Sequence, residues 1–471
     1  MNKTILAIPS LIFTSMTIAA SNHAVVASPF NTIEDKIYQQ QPIKTAALPK
    51  PDLSLKEIKA LSAAAKKQAA TKLAAIPKPD MQIKPRVKLA AIPKPNLQKV
   101  NLAPTLTAAL PTDAIKFASR STKPALLDRP FEQPKLVWTK HATPGAGSLL
   151  LPMAASFHNQ QIFSVGADGK IAAINADNGK KLWLTSTRYP ITTAAVVGDN
   201  NIFVGTDNAL LLALDPQTHK VVFAKQLSNS VLAAPAVSAG IVYAKTLDDH
   251  LYAFAQKDGH VLWAFSQDAP GLTNRQSSTP VVVGDRLIAG LSNGKLVALN
   301  RKTGAVIWQR QVTYPDGDSD IARMVDIDIT PVIANDRVFA SNIKGRLAAY
   351  DIENGKQYWQ QNMGELVGMA YGENTLYLTS KTGDVYALNP QFGGNLWHND
   401  NFKGSALSAP TVVGNHLVFA DSKGVAHWLQ LEDGKEVATV AFGKHPVMAA
   451  PLAIADDVYL QTVSGETIKI S

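Results

Sequence analysis

The chain of 471 residues contains no cysteine. That excludes structural disulfides, thiolate metal sites and cysteine nucleophiles. It also excludes a lipid-anchored N-terminus, which needs a cysteine just behind an apolar leader. Long apolar runs are scarce too. Met1-Asn2-Lys3 followed by Thr4–Ala20 comes nearest, and Pro9 and Ser10 interrupt it. One positive charge, a short apolar stretch and small residues before Val25-Val26-Ala27 read as a secretory signal over 1–27, leaving Ser28 as the mature start. No stretch in the mature chain is long enough for a transmembrane span. Catalytic signatures are missing as well: there is no Gly-x-Ser-x-Gly elbow, P-loop or dinucleotide fingerprint, and the ten histidines have no paired metal-ligand spacing. His427, beside Trp428, reads as a strand residue. The sequence thus assigns no catalytic residue, no cofactor and no metal, and the expectation is a protein that is not an enzyme.

Charge is unevenly distributed. Residues 28–130 carry a net +11 and residues 131–471 a net −3, within a total of +9. The basic part repeats one phrase: Ala46-Ala47-Leu48-Pro49-Lys50-Pro51-Asp52, Ala74-Ala75-Ile76-Pro77-Lys78-Pro79-Asp80 and Ala90-Ala91-Ile92-Pro93-Lys94-Pro95-Asn96. A worn fourth copy runs Ala108-Ala109-Leu110-Pro111-Thr112-Asp113. Pro-Lys-Pro holds a backbone extended and like charges repel, so 28–130 reads as a semi-rigid spacer, mostly without a core. One helix is expected near 55–73, where Ser54 and Glu57 form a capping box and Pro77 stops the run. Such a spacer can be a plain tether, or it can contact a partner or anionic envelope surfaces. The export signal and the slightly acidic remainder argue against nucleic acid.

From 131 onward one phrase recurs, clearest in Leu299-Asn300-Arg301-Lys302-Thr303-Gly304-Ala305-Val306-Ile307-Trp308. A small polar residue at position zero is followed by glycine four later and tryptophan eight later. The same frame fits Asn175/Gly179/Trp183, Asp351/Gly355/Trp359, Asn389/Gly393/Trp397 and, with Ala255 at zero, Gly259/Trp263. Asp215/His219/Phe223 and Gln430/Gly434/Ala438 are worn copies. The tryptophan slots lie 38 to 51 residues apart, the length of four short strands with tight turns, which is one propeller blade. Ala/Thr-Pro phrases such as Thr279-Pro280 and Thr330-Pro331 open the units. Gly169, Gly294, Gly345, Gly383, Gly424 and Gly465 mark a hairpin turn six residues before position zero. Ser471 occupies position zero of an eighth unit that lacks its outer strand, and Lys135–Trp138 reads as that strand. The expectation is an all-β, eight-bladed propeller over 131–471, closed by N- and C-terminal strands in one blade.

Compact blades leave function to short loops on one face or to the channel. The longest spacing, Trp308 to Trp359, locates an insertion at Tyr314–Asp328 rich in aspartate. Asp316, Asp318 and Asp320 match three ligand positions of a calcium loop, but Ile321 and Ile327 stand where that loop needs glycine and glutamate. A solvated polar loop or an acidic protein-docking loop suits the residues better.

The blade phrase resembles the PQQ-type propeller repeat over 135–471. Two stretches resemble the BamB family, propeller subunits of the bacterial outer-membrane β-barrel assembly machine: Asp326-Ile327-Asp328-Ile329-Thr330-Pro331-Val332, and Asp421-Ser422-Lys423-Gly424-Val425-Ala426-His427-Trp428 with Glu432-Asp433-Gly434. The resemblance implies a non-enzymatic periplasmic scaffold, peripheral to the outer membrane of a Gram-negative bacterium, that docks on POTRA domains of BamA. It places the partner-binding residues at Leu272, Arg275, Asp326 and Asp328, with Asn274 standing where the family has a leucine. The absent lipidation cysteine and the basic spacer depart from that family. They leave room for another envelope complex, such as a secretion apparatus, or for a cell-wall-associated module. Quinoprotein dehydrogenases share the eight-bladed repeat but need calcium ligands and a covered quinone pocket, and often adjacent cysteines, for which these minimal blades offer little.

Overall fold

The computed structural model describes residues 131–147, 151–275 and 277–471. The expected leader, basic spacer and helix near 55–73 lie outside the described residues. Among the described residues thirty-two strands form eight four-stranded antiparallel sheets, and none forms an α-helix. Each sheet is a meander of consecutive strands. Blade 1 contains Ser156–His158, Gln161–Val165, Lys170–Asn175 and Lys181–Ser186. Blades 2 to 7 follow at 196–226, 236–265, 281–311, 332–362, 366–399 and 411–441. Blade 8 takes Leu452–Ile454, Asp457–Gln461 and Glu466–Ile470 from the C-terminal part and Leu136–His141 from the other side of the ring. Leu136 pairs with Ile470 and His141 with Glu466, as the missing outer strand required. First strands of neighbouring blades touch around the channel.

The repeated phrase is local chemistry with a tertiary purpose. At position zero an Asn or Asp side chain turns back on its own loop. Asn300 Oδ1 accepts from the amides of Lys302 and Thr303, and Asp351 Oδ1 from those of Glu353 and Asn354. The glycine four later takes positive φ, 72° at Gly304 and 69° at Gly355. Its bare face receives the tryptophan of the preceding blade: a Cβ built on Gly355 would lie 2.7 Å from the Trp308 ring. That indole then donates from Nε1 to Ile352 O at 3.0 Å, and Trp263, Trp359 and Trp397 make the equivalent bond to Arg301, Pro390 and Leu431. Glycine and tryptophan are therefore the two halves of one blade–blade joint, contributed by successive repeats. In the worn copy His219 holds the glycine slot at φ 58°, and Trp183 stacks on its ring at 4.2 Å.

The middle strands are buried on both faces, which explains their continuous apolar runs, such as Leu287-Ile288-Ala289. Eight hydrophobic clusters result, one at every blade–blade interface. The cluster joining blades 8 and 1 includes Trp138, Ile162, Ile174 and Tyr459, so the seam is packed like any other joint. Up-and-down topology puts the position-zero turns on one face. The second hairpin turns and the blade-to-blade connections lie on the other.

Candidate partner-docking site

The two longest blade-to-blade connections among the described residues, 266–280 and 312–331, are neighbours on that second face. They carry all four residues singled out by sequence. The Asp326-Ile327-Asp328 stretch is anchored through its middle residue: Ile327 is buried in the blade 4–5 cluster and fills the space beside Gly290. Its amide donates to Leu291 O at 3.1 Å, while Asp326 O accepts from Ile343 at 2.9 Å. With Ile327 turned into the core, both flanking aspartates belong to the connection's other side.

Asn274 joins the two connections. Its amide donates to Asp326 Oδ1 at 3.0 Å and its side-chain Nδ2 to Asp328 Oδ2 at 3.2 Å. The remaining oxygens, Asp326 Oδ2 and Asp328 Oδ1, are buried and have no hydrogen-bond partner. Asp326 is 3% exposed. Burial pushes both carboxyl groups up to about 6, reinforced at Asp326 by the charges of Asp328 and Asp249. Below them, buried Lys245 donates to Gly290 O and lies 3.9 Å from Asp249, which accepts from the Ser292 amide at 2.8 Å. Lys245, Asp249, Asn274, Ser292 and Asp326 line one cleft of about 10 Å³, roughly the room of one water.

Arg275 does not join the aspartate pair. Its guanidinium reaches Asp207 Oδ1 in the blade 2 hairpin at 2.9 Å, and both side chains stay exposed. Leu272 is 43% exposed at the tip of its connection. Sequence reasoning placed these four residues on two loops but missed Asn274 as the tie between them, Asp207 as the partner of Arg275, and Lys245 with Asp249 beneath. Nothing in a pattern of spacings marks such pairs.

The inserted loop is internally braced. Arg323 Nε donates to Gly317 O at 3.0 Å, the Ala322 amide to Ser319 Oγ at 3.1 Å, and Lys344 Nζ to Ala322 O. It presents Tyr314, 75% exposed, and Ile321, 61% exposed. Asp316, Asp318 and Asp320 are exposed, and among the described residues no group of three or more His, Cys, Asp or Glu is placed to hold a metal ion. His427 lies in the strand Val425–Gln430, with Nδ1 2.6 Å from Glu436 and Nε2 3.5 Å from Asp421.

The outer membrane protein assembly factor BamB family model matches residues 167–399 and 344–471. This chain belongs to the BamB family. Relatives of that name include those of Vibrio cholerae, 30% identical over 72% of this chain and 89% of theirs, and Yersinia pestis, 28% identical over 70% and 87%. The Escherichia coli protein is 27% identical over 72% and 89%. Among solved structures, BamB from Moraxella catarrhalis superposes with a TM-score of 0.64 at 21% identity, covering 72% of this chain and 99% of that one. A quinohemoprotein alcohol dehydrogenase from Comamonas testosteroni reaches a TM-score of 0.60 at 12% identity, over 72% and 76%. These likenesses to solved structures concern the fold; the family rests on sequence.

Proposed function

We propose that this protein is a non-enzymatic scaffold in outer membrane protein assembly, working in the periplasm against the outer membrane. Its docking face is formed by Leu272, Arg275, Asp326 and Asp328 and receives POTRA domains of a BamA-like subunit. One observation carries the reading: adjacent connections hold, on one face of a rigid ring, an exposed leucine, an exposed arginine and two carboxylates with unmet hydrogen-bonding capacity. Apolar area with charged groups that set register is the composition of a protein interface. We assign 1–27 to export, and 28–130 to tethering the propeller in place of a lipid. The test is capture of envelope partners by the intact protein and by an Arg275→Glu, Asp326→Arg, Asp328→Arg variant. BamA should accompany the first and be lost from the second. Recovery of a different complex, or retention of BamA by the variant, would reject the partner or the face.

A further inference from the structure

Each of Asp326 and Asp328 has one oxygen occupied by Asn274 and one buried without a partner. A buried carboxylate oxygen left unpaired is costly, and a fold normally satisfies it. Local charge shows the same deficit. Asp249, Asp326 and Asp328 face one buried cation, Lys245, whose ammonium is directed at Gly290 O and Asp249. Lys381, the other cation acting on Asp328, is itself paired with Glu365 at 3.1 Å. Arg275, next to Asn274 in the chain, is paired with Asp207, and Arg323, three residues before Asp326, donates to Gly317 O. Asp326 and Ile327, the neighbour of Asp328, line a cleft between connections that carry the exposed apolar Leu272, Tyr314 and Ile321.

We infer that the docking partner inserts a lysine side chain whose water-sized ammonium is received by Asp326 Oδ2 and Asp328 Oδ1, with Asn274 holding the two carboxylates in register. This rests on the docking reading above and adds the chemistry of the ligand and a positioning role for Asn274. A cation at this point favours the ionised carboxylates, so binding expels the protons they carry near pH 6 and weakens as pH falls. Asn274 does for two oxygens what a leucine could not, and it leaves the other two for the partner.

Two measurements on the full-length protein test the inference. The first is calorimetric binding of the purified POTRA array of the same cell's BamA at pH 7.5, 6 and 5, in buffers of different ionisation enthalpy. Intact protein should release protons on binding at pH 6. The Asp326→Asn, Asp328→Asn variant should release none and bind ~30-fold or more weakly at pH 7.5, the range for truncating one side of a buried charge pair. Asn274→Ala should weaken binding at pH 7.5, whereas Asn274→Asp should weaken it further. Binding without proton release, and indifferent to the two carboxylates, would overturn the inference while leaving the docking reading standing. No binding by intact protein would reject the docking reading instead. The second measurement needs no partner: carboxyl carbon-13 titration with and without Nα-acetyl-lysine amide. Asp326 and Asp328 should titrate lower in its presence, and an unchanged pair would count against the inference on its own.

Discussion

The substitution Asp326→Asn should make the free protein more stable at neutral pH. In the folded chain this carboxyl titrates near 6 rather than at the ordinary 3.8, first because it is buried and then because Asp328 and Asp249 lie close. The folded state therefore binds the proton more tightly than the unfolded chain does. Between pH 4 and 6 folding takes up protons, so stability from this group rises as pH falls and is lost as pH climbs through 6. About two pH units at 1.36 kcal/mol each place an upper bound of about 3 kcal/mol on what the charge costs above pH 7. Asparagine keeps an acceptor for the Asn274 amide and carries no charge. The gain should be about 1–3 kcal/mol at pH 7.5, or roughly 1–4 °C in Tm for a domain of this length. At pH 4.5 the aspartate is protonated in the folded state but still largely ionised in the unfolded chain, so the difference should shrink to about a third of its value at pH 7.5. Differential scanning calorimetry of both proteins at the two pH values reads this directly. A variant destabilised equally at both values would refute the reasoning, since it would mean that the carboxylate is satisfied within the chain. If Asp326 gains a counter-ion on docking as proposed, it exchanges stability for function.

The blade joints allow sharper tests. Trp308→Ala should lower stability by about 3–5 kcal/mol, because it empties a buried indole site and leaves Ile352 O without its donor. Gly355→Ala attacks the same joint from the other side and should cost about 2 kcal/mol, since alanine is strained at φ 69° and meets the Trp308 ring; chemical denaturation compares the two. His219→Gly restores the common residue in the worn copy but removes the ring under Trp183, so the relief of backbone strain and the lost stacking should nearly cancel, within about 1 kcal/mol. Burial would lower the His427 pKa, but Asp421 and Glu436 outweigh it and raise it above 6.5. Its contribution is thus complete below pH 6.5 and fades as pH rises through the raised value, so His427→Gln should be destabilising at pH 6 and much less so at pH 9, as thermal melts across that range will report.

How much of this could be read in the chain depends on how far apart the interacting residues lie. Asn300, Gly304 and Trp308 are legible because turn, left-handed glycine and indole follow one another within eight positions and recur. The joint they make, indole of one repeat on glycine of the next, is one repeat length away and follows from the period. Ring closure was legible for the same reason: Ser471 stops at position zero and Lys135–Trp138 begins where the repeat resumes. His219 obscured its copy because stacking replaced the glycine contact with different chemistry. At the proposed docking face the bonds that matter join residues 52, 54 and 68 positions apart: Asn274 to Asp326, Asn274 to Asp328, and Arg275 to Asp207. Their separations obey no period, since each depends on loop lengths in neighbouring blades. Asn274 looked like a lost apolar contact in the sequence; in the structure its amide and side chain both bind the aspartate pair.

The most direct test of the scaffold account is made in the cell. The abundance of outer-membrane β-barrel proteins should fall when the gene is deleted and recover with the intact protein. It should not recover with the Arg275→Glu, Asp326→Arg, Asp328→Arg variant expressed to the same level. Unchanged β-barrel proteins in the deletion strain, or full recovery with the variant, would contradict the account.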